Sequence, residues 1–186
     1  MSEKVKPGYK QTEVGVIPEE WEVMPLGELG QFKNGINKPK EDFGHGFPFV
    51  NLMDVFGIPK VSAATAKFGL VNSTQAERKL YELKGGDVLF VRSSVKPEGV
   101  GLTNLIPEDL PDTVFSGFLI RYRDSGQLAL EFKEHCFWQE GFRSRLIANS
   151  TVSANTNINQ DALKRLQIGF PPNLSEQRAI AGALSD

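Results

Sequence analysis

The sequence predicts an α+β domain with a twisted, mainly antiparallel sheet and a few helices, followed by the opening turns of one more helix. Three observations carry that prediction. Residues 87–92 and 113–122 are rich in strand-forming side chains and bounded by turns. Residues 73–83 and 130–147 space their apolar side chains as amphipathic helices do. A chain of 186 residues, 40% apolar and 24% charged, can bury one sizeable core of ordinary globular composition.

Taken in order, residues 5–22 are polar, carry Pro7, Gly8, Gly15 and Pro18, and lack sustained periodicity. They are expected to form an extended arm anchored by Ile17 and Trp21. Residues 1–22 are assigned to this arm, 23–172 to the domain and 173–186 to the start of the last helix. Glycines and prolines break residues 33–48 into a long loop, the kind that often carries function. Residues 49–55 read as a short strand. A helix over 73–83 would start at Ser73 or Thr74 and bury Ala76, Leu80 and Leu83.

Further on, residues 130–147 read as one helix interrupted at Gly141, and 148–160 as a second long loop of Asn, Ser and Thr. Residues 161–165 form a helical turn and 166–170 a strand, after which Pro171 and Pro172 block helix. Ser175, with Glu176 and Gln177 behind it, looks like the start of a helix striped by Ile180, Ala181 and Leu184. That stripe is expected to be covered by a continuation of the chain or by a helical partner.

Composition narrows the function. One cysteine, Cys136, excludes an internal disulfide, and His45 and His135 as the only imidazoles leave no Cys/His metal cluster. No run approaches the roughly 18 apolar residues that span a bilayer, and residues 1–11 lack the apolar core of a secretory signal. A cytoplasmic protein is expected, with no membrane partner. The net charge of −2 argues against coating nucleic acid by bulk positive charge. Any DNA binding must focus its basic residues on one face.

Two motifs are more specific. Tyr9-Lys10-x-Thr12-x-x-Gly15-x-Ile17-Pro18-x-x-Trp21, then Leu26-Gly27-Glu28-Leu29, resembles the opening of the specificity subunits of type I restriction-modification systems. Gly169-Phe170-Pro171-Pro172-x-Leu174-Ser175-Glu176-Gln177-Arg178-Ala179-Ile180 resembles the start of the spacer helix that follows each target recognition domain in that family. Between them, residues 86–92 and Asn157-Ile158-Asn159 with Leu163 sit where the family has similar segments.

The resemblance implies a first target recognition domain that reads one half of a split double-stranded DNA target, followed by the start of a conserved spacer helix. It implies no catalytic site and no cofactor in this chain. Methylation would belong to a modification subunit that binds S-adenosylmethionine. Cleavage would belong to an ATP- and Mg²⁺-dependent restriction subunit that translocates DNA. Ser175, Glu176, Gln177, Ile180 and Leu184 would dock the helix on another conserved helix or on the modification subunit.

Within that frame three segments are candidates for DNA contact. Lys33, Lys38 and Lys40 are interleaved with Asn34 and Asn37, so lysines could meet phosphates while amides meet base edges. On the residues alone a solvated turn explains them as well. Arg92, Ser93, Ser94 and Lys96 leave a strong strand with two hydroxyls between two cations. They fit either a phosphate or guanine contact or a strand end with local turn bonds. Arg143 and Arg145 precede Asn149, Ser150, Thr151, Ser153, Asn155 and Asn157, and residues 141–165 hold a single acid, Asp161. Arginines there would fix phosphates while the loop presents polar groups to a groove; a flexible surface loop is the plainer account.

An enzyme alternative rests on Asp112, Glu131 and Lys133, which fit the loose PD…ExK pattern of metal-dependent nucleases. That pattern needs Glu131 and Lys133 on one face of a strand. Their segment reads as a helix, where residues two apart do not face each other.

Overall fold

The computed structural model describes residues 5–62, 64 and 67–185. Residues 1–4 of the expected arm and Asp186 of the expected last helix lie outside the described residues. The chain opens with β1 (Tyr9–Thr12) and β2 (Gly15–Pro18), then β3 (Glu22–Pro25), the one-turn helix α1 (Leu26–Leu29) and β4 (Gly30–Asn34). It continues through β5 (Phe43–Val50), α2 (Leu52–Val55), β6 (Gly69–Val71) and α3 (Gln75–Leu80). Next come β7 (Val88–Val91), β8 (Ser93–Ser94), β9 (Thr103–Leu105), β10 (Val114–Phe115) and β11 (Leu119–Asp124). The last third holds α4 (Leu130–Cys136), α5 (Glu140–Ala148), β12 (Thr151–Val152), β13 (Thr156–Asn157), α6 (Gln160–Arg165), β14 (Gln167–Phe170) and α7 (Leu174–Ser185).

At the centre is a four-stranded antiparallel sheet of order β4-β11-β7-β9. Smaller sheets surround it, and β10 with β5 is the one parallel pair among the described strands. The architecture is the expected α+β domain with mainly antiparallel sheet. Strand β7 shows why its sequence is continuously apolar. Val88 and Phe90 enter the largest core cluster, while Leu89 and Val91 enter a second, smaller one. Both faces of the sheet are covered, so alternation of apolar and polar side chains is not needed.

The larger cluster packs Phe90 and Tyr122 of the sheet against Phe137 and Phe142, with ring centroids 5.3 Å apart for Phe90–Phe137 and for Phe137–Phe142. These are edge-on contacts, the arrangement the aromatic quadrupole favours. Burial raises the Tyr122 phenol and the Cys136 thiol pKa values, so both stay neutral at physiological pH. The smaller cluster lies on the opposite face, around Leu119, Phe115, Val50 and Ile106. Strand β14 pairs with β3, which ties the end of the domain to its beginning.

Several expected elements change shape. The arm folds back as the β1–β2 hairpin, because Gly15 takes a φ of 115° and the Thr12 hydroxyl closes the turn on the Gly15 carbonyl at 2.8 Å. Most of the expected 33–48 loop is structured. Its glycines form a bulge in β5, where Gly44 and Gly46 have φ of 92° and 96°, rather than ending a strand. The expected 49–55 strand ends at Val50, and Asn51 and Asp54 close a capping box that starts α2. In α3, Thr74 is the cap; the helix ends at Leu80, Ala76 and Leu80 are exposed, and of the expected stripe only Leu83, beyond the helix, is buried in the core.

The 113–122 run is two strands, separated by a turn over Ser116, Gly117 and Phe118. The helix expected over 130–147 splits at residues 137–139, and Gly141 lies inside α5. That turn lets both Phe137 and Phe142 reach the core. Asn173 rather than Ser175 caps α7, accepting the Ser175 N–H at 2.8 Å. Among the described residues, no helix is long and apolar enough to cross a membrane.

Candidate nucleic-acid interface

The expected DNA-contact segments meet through a relay of backbone contacts. Strand β8 pairs with β13, matching Ser93 to Asn157 and Ser94 to Thr156, and β13 pairs with β12. The Ile158 N–H donates to the Arg92 carbonyl at 3.0 Å, extending the join. The Arg92 N–H donates to the Phe118 carbonyl at 2.9 Å, and Arg92 Nη1 donates to the Gly117 carbonyl at 3.3 Å. Gly117 in turn donates to the Ile36 carbonyl, and a Cβ at Gly117 would sit 2.1 Å from Asn37 Oδ1. Only glycine permits Asn37 so close to that turn.

Arg143 joins from α5. Its Nη2 donates to the Glu98 carbonyl at 2.8 Å, two residues after Lys96, and its Nη1 is buried without a partner. Burial lowers its pKa, since desolvation disfavours the charged form. Asn37, Arg92, Ser93, Ser94, Lys96, Arg143, Asn155 and Asn157 therefore belong to one end of the domain. The turn of the β12–β13 hairpin is stiffened by its own bonds, with Ser153 Oγ and Asn157 Nδ2 both donating to the Asn155 carbonyl at 3.2 and 2.9 Å. The Asn155 side chain is left exposed. Thr151 donates to the Asn157 carbonyl at 3.4 Å across the hairpin.

Other candidates lie elsewhere or are already engaged. Lys38 is mostly buried and bonded to Glu77 at 2.8 Å, with Asp42 at 3.9 Å, so its charge is neutralised within the fold. Lys33 Nζ lies 5.3 Å from the Tyr81 ring, and the side-chain amides of Asn34 and Gln160 meet at 3.0 Å. Lys40 is exposed in the short 3-10 turn Lys40–Asp42. Arg145 points away from Arg143, because residues two apart on a helix face different sides. Its Nη2 donates to the Gln167 carbonyl at 3.2 Å, and it lines a cleft with Trp21, Ile180 and Leu184. Asn149 and Ser150 close the end of α5, donating to the Arg145 and Leu146 carbonyls at 2.8 and 3.0 Å.

Of the expected docking residues, Gln177 is not on the surface. It is 0% exposed, accepts the Ala129 N–H at 2.6 Å, and donates to the Gln127 and Pro171 carbonyls at 2.9 Å each. All three bonds are internal, so the side chain locks α7 to its own domain. Glu176 accepts the Trp21 indole N–H at 3.2 Å, and Ile180 packs on the larger core cluster. Ser175 and Leu184 are exposed.

The PD…ExK residues do not assemble. Asp112 sits in a left-handed turn with φ 55° and pairs with Arg78 at 3.0 Å. Glu131 faces Arg178 at 3.7 Å, and Lys133 is buried in an ion pair with Asp124 at 2.5 Å. Among the described residues, no group of three or more His, Cys, Asp or Glu side chains could hold a metal.

Sequence reading missed the apolar side of this end. Met53, Phe56 and Phe118 are exposed and line one groove with Ser93, Ser94 and Asn155. A phenylalanine placed directly after Ser116-Gly117 was the available signal, masked by reading 113–122 as one strand.

One end of the α+β domain thus gathers arginine, lysine, hydroxyls and amides around an apolar groove. The chain is a member of the type I restriction modification DNA specificity domain family, matching it over residues 18–186. It is 29% identical over 184 residues to a protein of Methanocaldococcus jannaschii described as the type I restriction enzyme MjaX specificity subunit. That match covers 96% of this chain and 42% of the relative, so the chain spans less than half the relative's length.

Solved structures share the fold. The HsdS subunit from Thermoanaerobacter tengcongensis superposes with a TM-score of 0.62 at 23% identity, covering 91% of this chain and 37% of that one. A chain from a type I R-M system studied for complex assembly and conformational transition gives 0.64 at 21% identity, over 91% and 38%. The S subunit from M. genitalium gives 0.60 at 17%, over 98% and 40%.

Proposed function

We propose that this chain reads one half of a bipartite double-stranded DNA target for a type I restriction-modification complex, and directs methyltransferase and restriction subunits to it. The observation that carries the reading is the β8–β13 pairing, which places Arg92 to Lys96 beside the hairpin of Asn155 and Asn157. A strand end and a tight hairpin give a rigid base for side chains that must hold position against base edges. Arg143, Arg92 and Lys96 supply phosphate contacts, and the hydroxyls and amides supply base contacts. S-adenosylmethionine, ATP and Mg²⁺ belong to the partner subunits. Helix α7 carries the assembly surface through exposed Ser175 and Leu184.

Selection of random duplexes by this chain, followed by sequencing, tests the reading. One enriched half-site motif, bound in a salt-sensitive way, is expected. Binding without any enriched motif would overturn it.

A further inference from the structure

Phe118 is 58% exposed and Met53 76% exposed, and they share a groove of about 650 Å³ with Phe56 and Val95. Leu52 and Leu102 line the same groove and are partly buried against the smaller core cluster. Large apolar side chains grouped around an open groove mark a binding surface, because scattered single exposures carry no such geometry. The rim is cationic. Lys96 is part of the lining, Arg92 grips the carbonyl of Gly117 next to Phe118, and Arg143 grips the carbonyl of Glu98. Among the described residues none of these three cations has a carboxylate partner, and Glu98 is the one acid lining the groove.

An occupant must therefore be anionic at its margins and apolar where it meets the groove. Duplex DNA combines those features in its major groove, where phosphates flank base edges and thymine adds a C5-methyl group. We propose that Phe118, Met53 and Phe56 pack on thymine C5-methyl groups and so set the preference for thymine at the positions they touch. Arg92, Lys96 and Arg143 hold the phosphates on either side. This rests on the DNA-reading function proposed above, and it names a specificity determinant within it. Asn155, at the polar edge of the same groove, is placed to meet the partnered adenine.

Replacing thymine by uracil in the selected duplex removes only the methyl group. For the wild-type chain, uracil at one or two thymines should weaken binding about three- to fivefold each. The Phe118→Ala/Met53→Ala variant should bind the thymine duplex more weakly and lose its response to those uracils, with an unchanged salt slope. Both residues are surface-exposed, and melting of the variant checks that the fold survives. Val16→Ala, an exposed apolar change on the β1–β2 hairpin, should keep the full uracil response.

A wild-type chain that enriches a motif but ignores every uracil overturns this proposal and leaves the DNA-reading function standing. A variant that keeps the wild-type uracil response overturns it too, as does a motif without thymine. A chain that enriches no motif overturns both readings. If the variant binds DNA as the wild type does but loses a partner subunit, the groove is a protein surface and the proposal fails.

Discussion

Ser94 and Thr156 are register partners in an antiparallel ladder, and through them two segments far apart in sequence become one surface. The pairing makes the hairpin depend on the strand end. Ser94→Pro, which removes a ladder donor, should loosen the hairpin and weaken duplex binding together. Hydrogen exchange at residues 151–157 checks the first effect, and a duplex titration checks the second. Protection that is unchanged while binding falls would separate the two.

Lys133 and Asp124 form a buried ion pair at 2.5 Å, and the ammonium also donates to the Gly86 carbonyl at 2.7 Å. Removing one partner strands a buried charge. Lys133→Met should destabilise the domain by about 3–5 kcal/mol in urea unfolding. A loss below about 1 kcal/mol would contradict the buried pairing.

Gln177 binds three backbone groups of residues 127, 129 and 171. Gln177→Leu keeps the volume and leaves those groups unpaired, at about 1–3 kcal/mol each before relaxation. A global loss of about 2–4 kcal/mol is expected, with faster hydrogen exchange at the start of α7. An unchanged melt would show that the helix does not depend on this amide.

Glu77 supplies an acid-sensitive term. Its carboxyl is held below the ordinary 4.5, first by the hydrogen bond from Lys38 and then by the Thr74 N–H. A depressed carboxylate stabilises the fold above its unfolded pKa, and the gain disappears as pH falls through the folded value. Glu77→Gln should therefore lower the melting temperature at pH 7 and narrow its gap from wild type as pH drops below about 4.5. A gap that stays constant from pH 7 to 3 would contradict the sign.

The parts legible in the sequence were those where one local rule decides. Residues 88–91 read as a strand because their side chains are strand formers bounded by a turn, and the hydroxyls of Ser73 and Thr74 marked the start of α3, which Thr74 caps. The motifs at the two chain ends gave the family. The candidate surface was legible in pieces only. Arg143 and Arg145 look equivalent in sequence, yet helical geometry sends one to Glu98 and the other to Gln167. Lys38 looks free until Glu77, distant in sequence, folds against it. Gln177 sits on a surface-like polar stretch, and only the arrival of residues 127–129 buries it. Each of these depends on a tertiary partner that no local pattern names.

The proposed DNA-reading surface is the end of the domain formed by β8, β13 and α5. Affinity of the wild type, Arg143→Ala and Arg145→Ala for the selected duplex, each measured across a salt series, tests it most directly. Arg143→Ala should weaken binding and reduce the slope of log affinity against log salt by about one, while Arg145→Ala should keep the wild-type slope. Equal slopes for all three proteins, or a loss confined to Arg145→Ala, would place the DNA elsewhere on the molecule.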